Sequence, residues 1–152
     1  MAWLIDTCLW IEVERGRVGP SDIARFTGSD DVFLSPVTIS ELQFGVEMAT
    51  DEGIRQARQK SVDALKKKPL LIIDDGTGAI HGRMCASLRK AGKQSDYRIM
   101  DLWLAAQAIQ HNLSLLTSNI RDFKDIPGLS LLEFQVPESM PPTSGTGAGI
   151  SS

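Results

Sequence analysis

A chain of 152 residues, 42% apolar and 23% charged, has the size and composition of one soluble domain. Such a chain buries about 70% of its unfolded surface. The net charge of −3 excludes a globally basic polyanion binder, and no apolar run approaches the ~20 residues of a membrane span. Cys8 and Cys85 are widely separated and stand among apolar or small residues, which predicts buried free thiols in a reducing compartment. With no basic-then-apolar leader at the N-terminus, the expected location is cytoplasmic.

The first apolar run, Trp3-Leu4-Ile5, reads as a strand, and Leu9, Ile11 and Val13 as a short helix behind it. Residues 32–34 form a second strand. Ile39, Leu42, Phe44, Val46 and Met48 then mark a helix, with Ser35 as its cap and Pro36 in its first turn. A charged helix follows over 52–67, ending at Lys66-Lys67-Lys68, where cations suit the helix dipole. Residues 70–73 read as a third strand. Ile80, Met84, Ser87 and Leu88 mark a helix closed by Gly92, and Leu102–Gln110 another stopped by Asn112. Strands over 113–117 and 129–134 complete the series. Apolar runs without clean alternation indicate strands buried on both faces, and their alternation with helices indicates βαβ units around a parallel sheet. Residues 1–136 are expected to form this domain. The Pro/Gly/Ser-rich residues 137–152 have too little to bury and are expected to form a disordered tail.

In this arrangement Asp6, Glu41, Asp101 and Asp122 fall where a parallel sheet brings residues together, beyond the carboxyl ends of its strands. Each has a local role available. Asp6 suits the cap of the first helix. Thr38-Ile39-Ser40-Glu41 fits a capping box. Asp101 suits a helix's first turn, and Asp122 can pair with Arg121 or a neighbouring amide. No local role explains why all four converge. Clustered carboxylates raise one another's pKa unless a cation is present, and hard oxygen donors suit Mg²⁺ or Mn²⁺. With these four acids assigned to a metal, fifteen acids face sixteen basic residues, so the acidic balance does not argue against a phosphate-bearing substrate.

Four segments carry a resemblance to a known family: Leu4-Ile5-Asp6-Thr7; Thr38-Ile39-Ser40-Glu41-Leu42 with Gly45 and Glu47; Ile99-Met100-Asp101-Leu102-Trp103-Leu104-Ala105-Ala106; and Leu116-Thr117-Ser118-Asn119-Ile120-Arg121-Asp122-Phe123 with Ile126-Pro127-Gly128-Leu129. In this order and separation they resemble the PIN-domain family, and within it the VapC-type toxins, over residues 3 to 134. The resemblance implies a three-layer α/β/α sandwich with a five-stranded parallel sheet. It also implies a Mg²⁺- or Mn²⁺-dependent endoribonuclease, a homodimer, and a cognate antitoxin that binds near the active-site groove. Cys8 stands where relatives often carry Asn or Ser, which removes one possible hydrogen bond beside Asp6. The fourth acidic position is the least fixed in the family; Asp122 matches best, with Asn119 and Asp125 as alternatives.

Phosphodiester hydrolysis through such a site needs Asp6, Glu41 and Asp101 as the main ligands. Asp122 would hold a second ion or orient the attacking water. Thr7, Ser40, Thr117 and Asn119 are the candidates for orienting the carboxylates or binding a phosphate. His81 and His111 do not form an acid–base pair and are expected to be structural. Substrate grip is expected from among Arg15, Arg17, Arg83, Arg89, Lys90, Lys93, Arg98 and Arg121, and a homodimer from an apolar surface around Phe44, Val46, Met48, Ile80 and Met84. Two alternatives differ in kind. A phosphorelay receiver domain would use Asp74-Asp75, yet it needs an acidic pair after the first strand and a Lys after the last, and both are missing. A catalytically inactive PIN-like binding module keeps the fold but usually lacks one or more of the four acids.

Overall fold

The strands at the centre of the molecule pair only in parallel, which puts all their carboxyl ends on one edge. In the computed structural model, residues 1–93 and 98–137 are described. Four strands, β1 (Trp3–Ile5), β2 (Val32–Phe33), β3 (Ser114–Thr117) and β4 (Ser130–Glu133), form one sheet in the order β2-β1-β3-β4. Six helices accompany them: α1 (Thr7–Glu14), α2 (Pro20–Thr27), α3 (Pro36–Glu47), α4 (Glu52–Leu65), α5 (Asp75–Lys90) and α6 (Ile99–Gln110). In the two central strands, Trp3, Leu4 and Ile5 register against Ser114, Leu115 and Leu116. The tail expected over 137–152 lies, apart from Pro137, outside the described residues.

Successive strand residues point to opposite faces, and each face has its own helices. Leu4 and Leu115 pack with Met84, Leu88, Leu102, Leu104 and Ala105 of α5 and α6. Trp3, Ile5 and Leu116 pack with Leu9, Trp10 and Ile23 of α1 and α2. Helices on both faces of a parallel sheet make the three layers expected. Continuous apolar runs were the right signal, because both faces of every central strand residue are covered.

Three expectations need correction. Among the described residues the sheet has four strands rather than five: residues 70–73 contribute a single parallel bridge, Leu34 to Leu70. Leu70, Ile72 and Ile73 are exposed, so this segment lacks the packing on two faces that would extend its pairing. A helix over Pro20–Thr27 went unread. Proline at its first position and Asp22 accepting from the Gly19 N–H at 2.8 Å start it, but eight residues give little periodicity. The proposed dimer surface is also mixed, since Val46 and Met84 are core residues while Phe44 and Met48 are exposed. The caps of the longer helices match their sequences. Ser35 accepts from the Val37 N–H ahead of Pro36, Gly92 takes φ of 73° after α5, and Asn112 takes φ of 53° after α6.

Leu115→Ala should destabilise the fold by about 2–5 kcal/mol, because a fully buried leucine leaves a cavity between two covered faces. Phe44→Ser, at a position 68% exposed, should stay within about 0.5 kcal/mol. Equilibrium urea unfolding of the two variants measures both.

Candidate active site

Asp6 directly follows β1, and its backbone N–H donates to the Leu116 carbonyl of β3 at 2.9 Å. It occupies the cap position of α1, but its side chain makes no capping bond. Its Oδ2 instead accepts from the Thr117 hydroxyl at 2.8 Å and the Cys8 thiol at 3.1 Å. This carboxylate, only 5% exposed, is therefore held from β3 and α1 together. Cys8 does not remove the hydrogen bond its position was expected to lack. The thiol supplies it, and also lies 3.1 Å from the Ser118 hydroxyl.

Glu41 sits inside α3, because Ser35 rather than Thr38 caps that helix. The capping-box alternative is thereby removed, and the Glu41 side chain turns to α1. The Thr7 hydroxyl stands 3.3 Å from Glu41 Oε1 and 3.0 Å from Thr38 Oγ1. Thr7 and Thr38 are buried, so this short relay is shielded from water. Thr38 was missed as a site residue, although it lies three positions before Glu41 and so on the same helix face.

Asp101 occupies the first turn of α6, where the dipole favours its charge. Asp122 ends a 3-10 turn, Ile120–Asp122, in the loop after β3, and accepts from the Asn119 amide. Asn119 in turn donates its backbone N–H to Thr117 Oγ1 at 2.9 Å. Of the four expected orienting residues, Thr7, Thr117 and Asn119 contact carboxylates. Ser40 is exposed on α3. Asp125, an alternative fourth ligand, is instead engaged by Arg98, whose Nη1 and Nη2 donate to its two oxygens at 2.8 and 3.1 Å. Arg98 is 3% exposed, so it does not belong among the surface cations expected to grip a substrate.

The four acids feel one another. Burial pushes the Asp101 carboxyl up to about 7, and Asp6, Asp122 and Glu41 add to the rise, with Arg98 opposing it. Burial raises Asp6, and its bonds from Cys8 and Thr117 oppose the rise. Burial and then the charge of Asp6 raise Glu41. The Cys8 thiol is pushed up to about 11 by burial and by Asp6, so at neutral pH it is a proton donor rather than a thiolate. Away from this cluster His81 stacks on Trp103 with centroids 3.8 Å apart, and burial lowers its pKa. That placement agrees with a structural role.

Among the described residues, no three His, Cys, Asp or Glu side chains stand in an arrangement that holds an ion. The chain's own hydroxyl, thiol and amide groups engage Asp6, Glu41 and Asp122 instead. The donor chemistry nevertheless fits a hard divalent cation: carboxylate oxygens predominate, and their mutual field is what such an ion relieves.

Residues 3–129 match the family model described as PIN domain. Ribonuclease VapC1 of Rickettsia felis is 31% identical over 134 residues, spanning 87% of this chain and 96% of that protein. Ribonuclease VapC5 of Mycobacterium tuberculosis is 30% identical over 132 residues, 87% and 93% of the two chains. Two solved structures share the fold. One is VapBC2 from Rickettsia felis bound to a DNA fragment from its promoter, with a TM-score of 0.76 at 21% identity over 88% of this chain and 99% of that one. The other is VapBC-5 from Mycobacterium tuberculosis, a member of the VapBC family of toxin–antitoxin systems, with a TM-score of 0.70 at 24% identity over 88% and 98%.

An aspartate raised to about 7 in the fold and ordinary when unfolded binds more protons folded. The ion-free protein should therefore lose stability as pH rises from about 4 to about 7, and level off above. In chelator, Asp101→Asn should raise the melting temperature at pH 8, and the gain should vanish towards pH 4. Thermal unfolding across that range checks the sign.

Proposed function

Because the chain belongs to the PIN domain family, we propose that it is a metal-dependent endoribonuclease acting as the toxin of a toxin–antitoxin pair. The convergence of Asp6, Glu41, Asp101 and Asp122 into one mutual field is the observation that carries this reading. An inactive binding module has no use for three carboxyl groups raised together. The receiver-domain alternative has lost its basis too, since Asp74 caps α5, accepting from the Thr77 N–H and from Gln110.

Asp6, Glu41 and Asp101 would hold the ion, and Asp122 would hold a second ion or orient the water. Mg²⁺ is the expected metal and Mn²⁺ its substitute. When bound, such an ion supplies a more acidic water, neutralises charge on the phosphoryl oxygens and orients the attack. The chain's contribution is orientation. Thr117 and Cys8 fix one oxygen of Asp6, Thr7 fixes one of Glu41, and Asn119 fixes Asp122. Hydrogen bonds from fixed neighbours aim a carboxylate and restrain it from recoiling from the next one. RNA phosphates would meet exposed cations around the site, including Arg121, Arg89 and Lys90.

An antitoxin segment would occupy the groove between α1, α3 and α4. Its walls are Trp10, Ile11, Leu42, Val62 and Leu65, and it opens onto Glu41. An apolar segment fits those walls, and a basic side chain from it could enter the carboxylate cluster. Exposed Phe44 and Met48 remain available for a homodimer. No described helix is long and apolar enough to cross a membrane, and we place the protein in the cytoplasm.

Asp6→Ala and Asp101→Asn should abolish cleavage of single-stranded RNA, about 10³-fold or more, without loss of folding in chelator. Full activity in either variant would remove the assignment. Mg²⁺ should raise the melting temperature with concentration and release protons as it binds, and Ca²⁺ should bind with little cleavage. Calorimetry in two buffers of different ionisation enthalpy reads the protons. A melting temperature indifferent to Mg²⁺ would leave the four acids with local roles alone.

A further inference from the structure

We propose that Arg98 is a positioning residue for the nuclease reaction, setting Asp122 relative to Asp101 by clamping the loop after β3 to the start of α6. Arg98 stands at the cap position of α6, three residues before Asp101. Its guanidinium reaches the other half of the site. Nη1 donates to the Asp122 backbone carbonyl at 2.8 Å and to Asp125 Oδ1 at 2.8 Å, and Nη2 donates to Asp125 Oδ2 at 3.1 Å. One side chain thus begins on the element that carries the third carboxylate and ends on the carbonyl of the residue that carries the fourth.

The loop needs such a clamp. A three-residue 3-10 turn has poor hydrogen-bond geometry and little stability of its own. The side chain of Asp122 is held by Asn119, which belongs to the same loop. That bond shapes the loop without locating it against α6. The two-pronged pairing of guanidinium with carboxylate fixes direction as well as distance. Asp125 lies three residues after Asp122, so the pair fixes the loop beyond the turn while the carbonyl bond fixes the turn itself. Arg98 is too buried to reach an RNA phosphate, and it acts through the carboxylates.

The inference rests on the nuclease reading, and the test keeps the two apart. Full-length Arg98→Lys, Asp125→Asn, Asp125→Glu and the Arg98→Lys/Asp125→Asn double variant are titrated with Mn²⁺ by calorimetry, then assayed on single-stranded RNA. Lysine keeps the charge but cannot bridge two acceptors in a fork. Arg98→Lys and Asp125→Asn should each weaken Mn²⁺ binding by about 10- to 100-fold, and lower kcat with KM for RNA unchanged. The double variant should be no worse than the poorer single, because both break one clamp. Asp125→Glu, which keeps the carboxylate, should recover much of the loss. Unchanged Mn²⁺ affinity and kcat in folded Asp125→Asn would overturn the proposal. So would a rise in KM alone, which would put Arg98 on the substrate, or a loss accounted for by the unfolded fraction. If Arg98→Lys does not fold, the two Asp125 variants decide by the same criteria. A wild-type protein that neither binds Mn²⁺ nor cleaves RNA would instead remove the nuclease reading itself.

Discussion

Asp6, Glu41, Asp101 and Asp122 lie within one another's field beyond a parallel sheet, and burying carboxyl charge there is the constraint on which the surrounding structure depends. The sheet order brings two of them side by side. β1 and β3 are adjacent, so Asp6 at the end of one lies beside the loop that carries Asp122 at the end of the other. α3 follows β2 with Glu41, and α6 leads into β3 with Asp101 at its head. Burial then removes the water that would screen these charges. Asp6, Glu41 and Asp101 all titrate above their ordinary range as a result.

The fold counters this strain with dipoles and short polar side chains more than with counter-charges. Asp6 and Asp101 sit at or near helix N-termini, where backbone N–H groups favour an anion. Thr7, Cys8 and Thr117 donate from elements that are themselves packed, so their donors are in place before any ion arrives. Local and site roles of these acids are therefore compatible: a helix start is a good place for a carboxylate that must stay charged beside others. The nearby guanidinium is committed to Asp125. A cation held here as proposed would compete with protons for the same carboxylates, which would link stability, ion affinity and pH.

Stability is drawn from elsewhere. Both faces of β1 and β3 are covered, with Leu4 and Leu115 in one apolar cluster and Ile5 and Leu116 in the other. A rigid, doubly covered sheet allows its edge to carry an arrangement unfavourable in isolation, as sites that bind charge commonly are. The segment after α4 shows the opposite case. Leu70 and Ile72 lie open to solvent, and the segment pairs through the single bridge from Leu34 to Leu70.

The sequence by itself determined the layered parallel fold and singled out four acids that lie within one another's field. Continuous apolar runs report two-sided burial, and strand carboxyl ends report where ligands gather; both signals are local. It also located Thr7, Thr117 and Asn119, because each neighbours an acid or a strand end. Only the tertiary structure decided the rest. Whether 70–73 pairs as a strand depends on what covers it, and where the Glu41 side chain turns depends on Thr7 of the facing α1. That Asp125 is taken up by an arginine depends on Arg98, a residue 27 positions before it. No periodicity records which of two aspartates an arginine will take. The Cys8 thiol keeps a bond to Asp6, two residues away, and also meets Ser118, 110 positions along the chain. Hydrogen-bond partners of that kind depend on direction and distance between elements, and a residue's own neighbours in sequence carry neither.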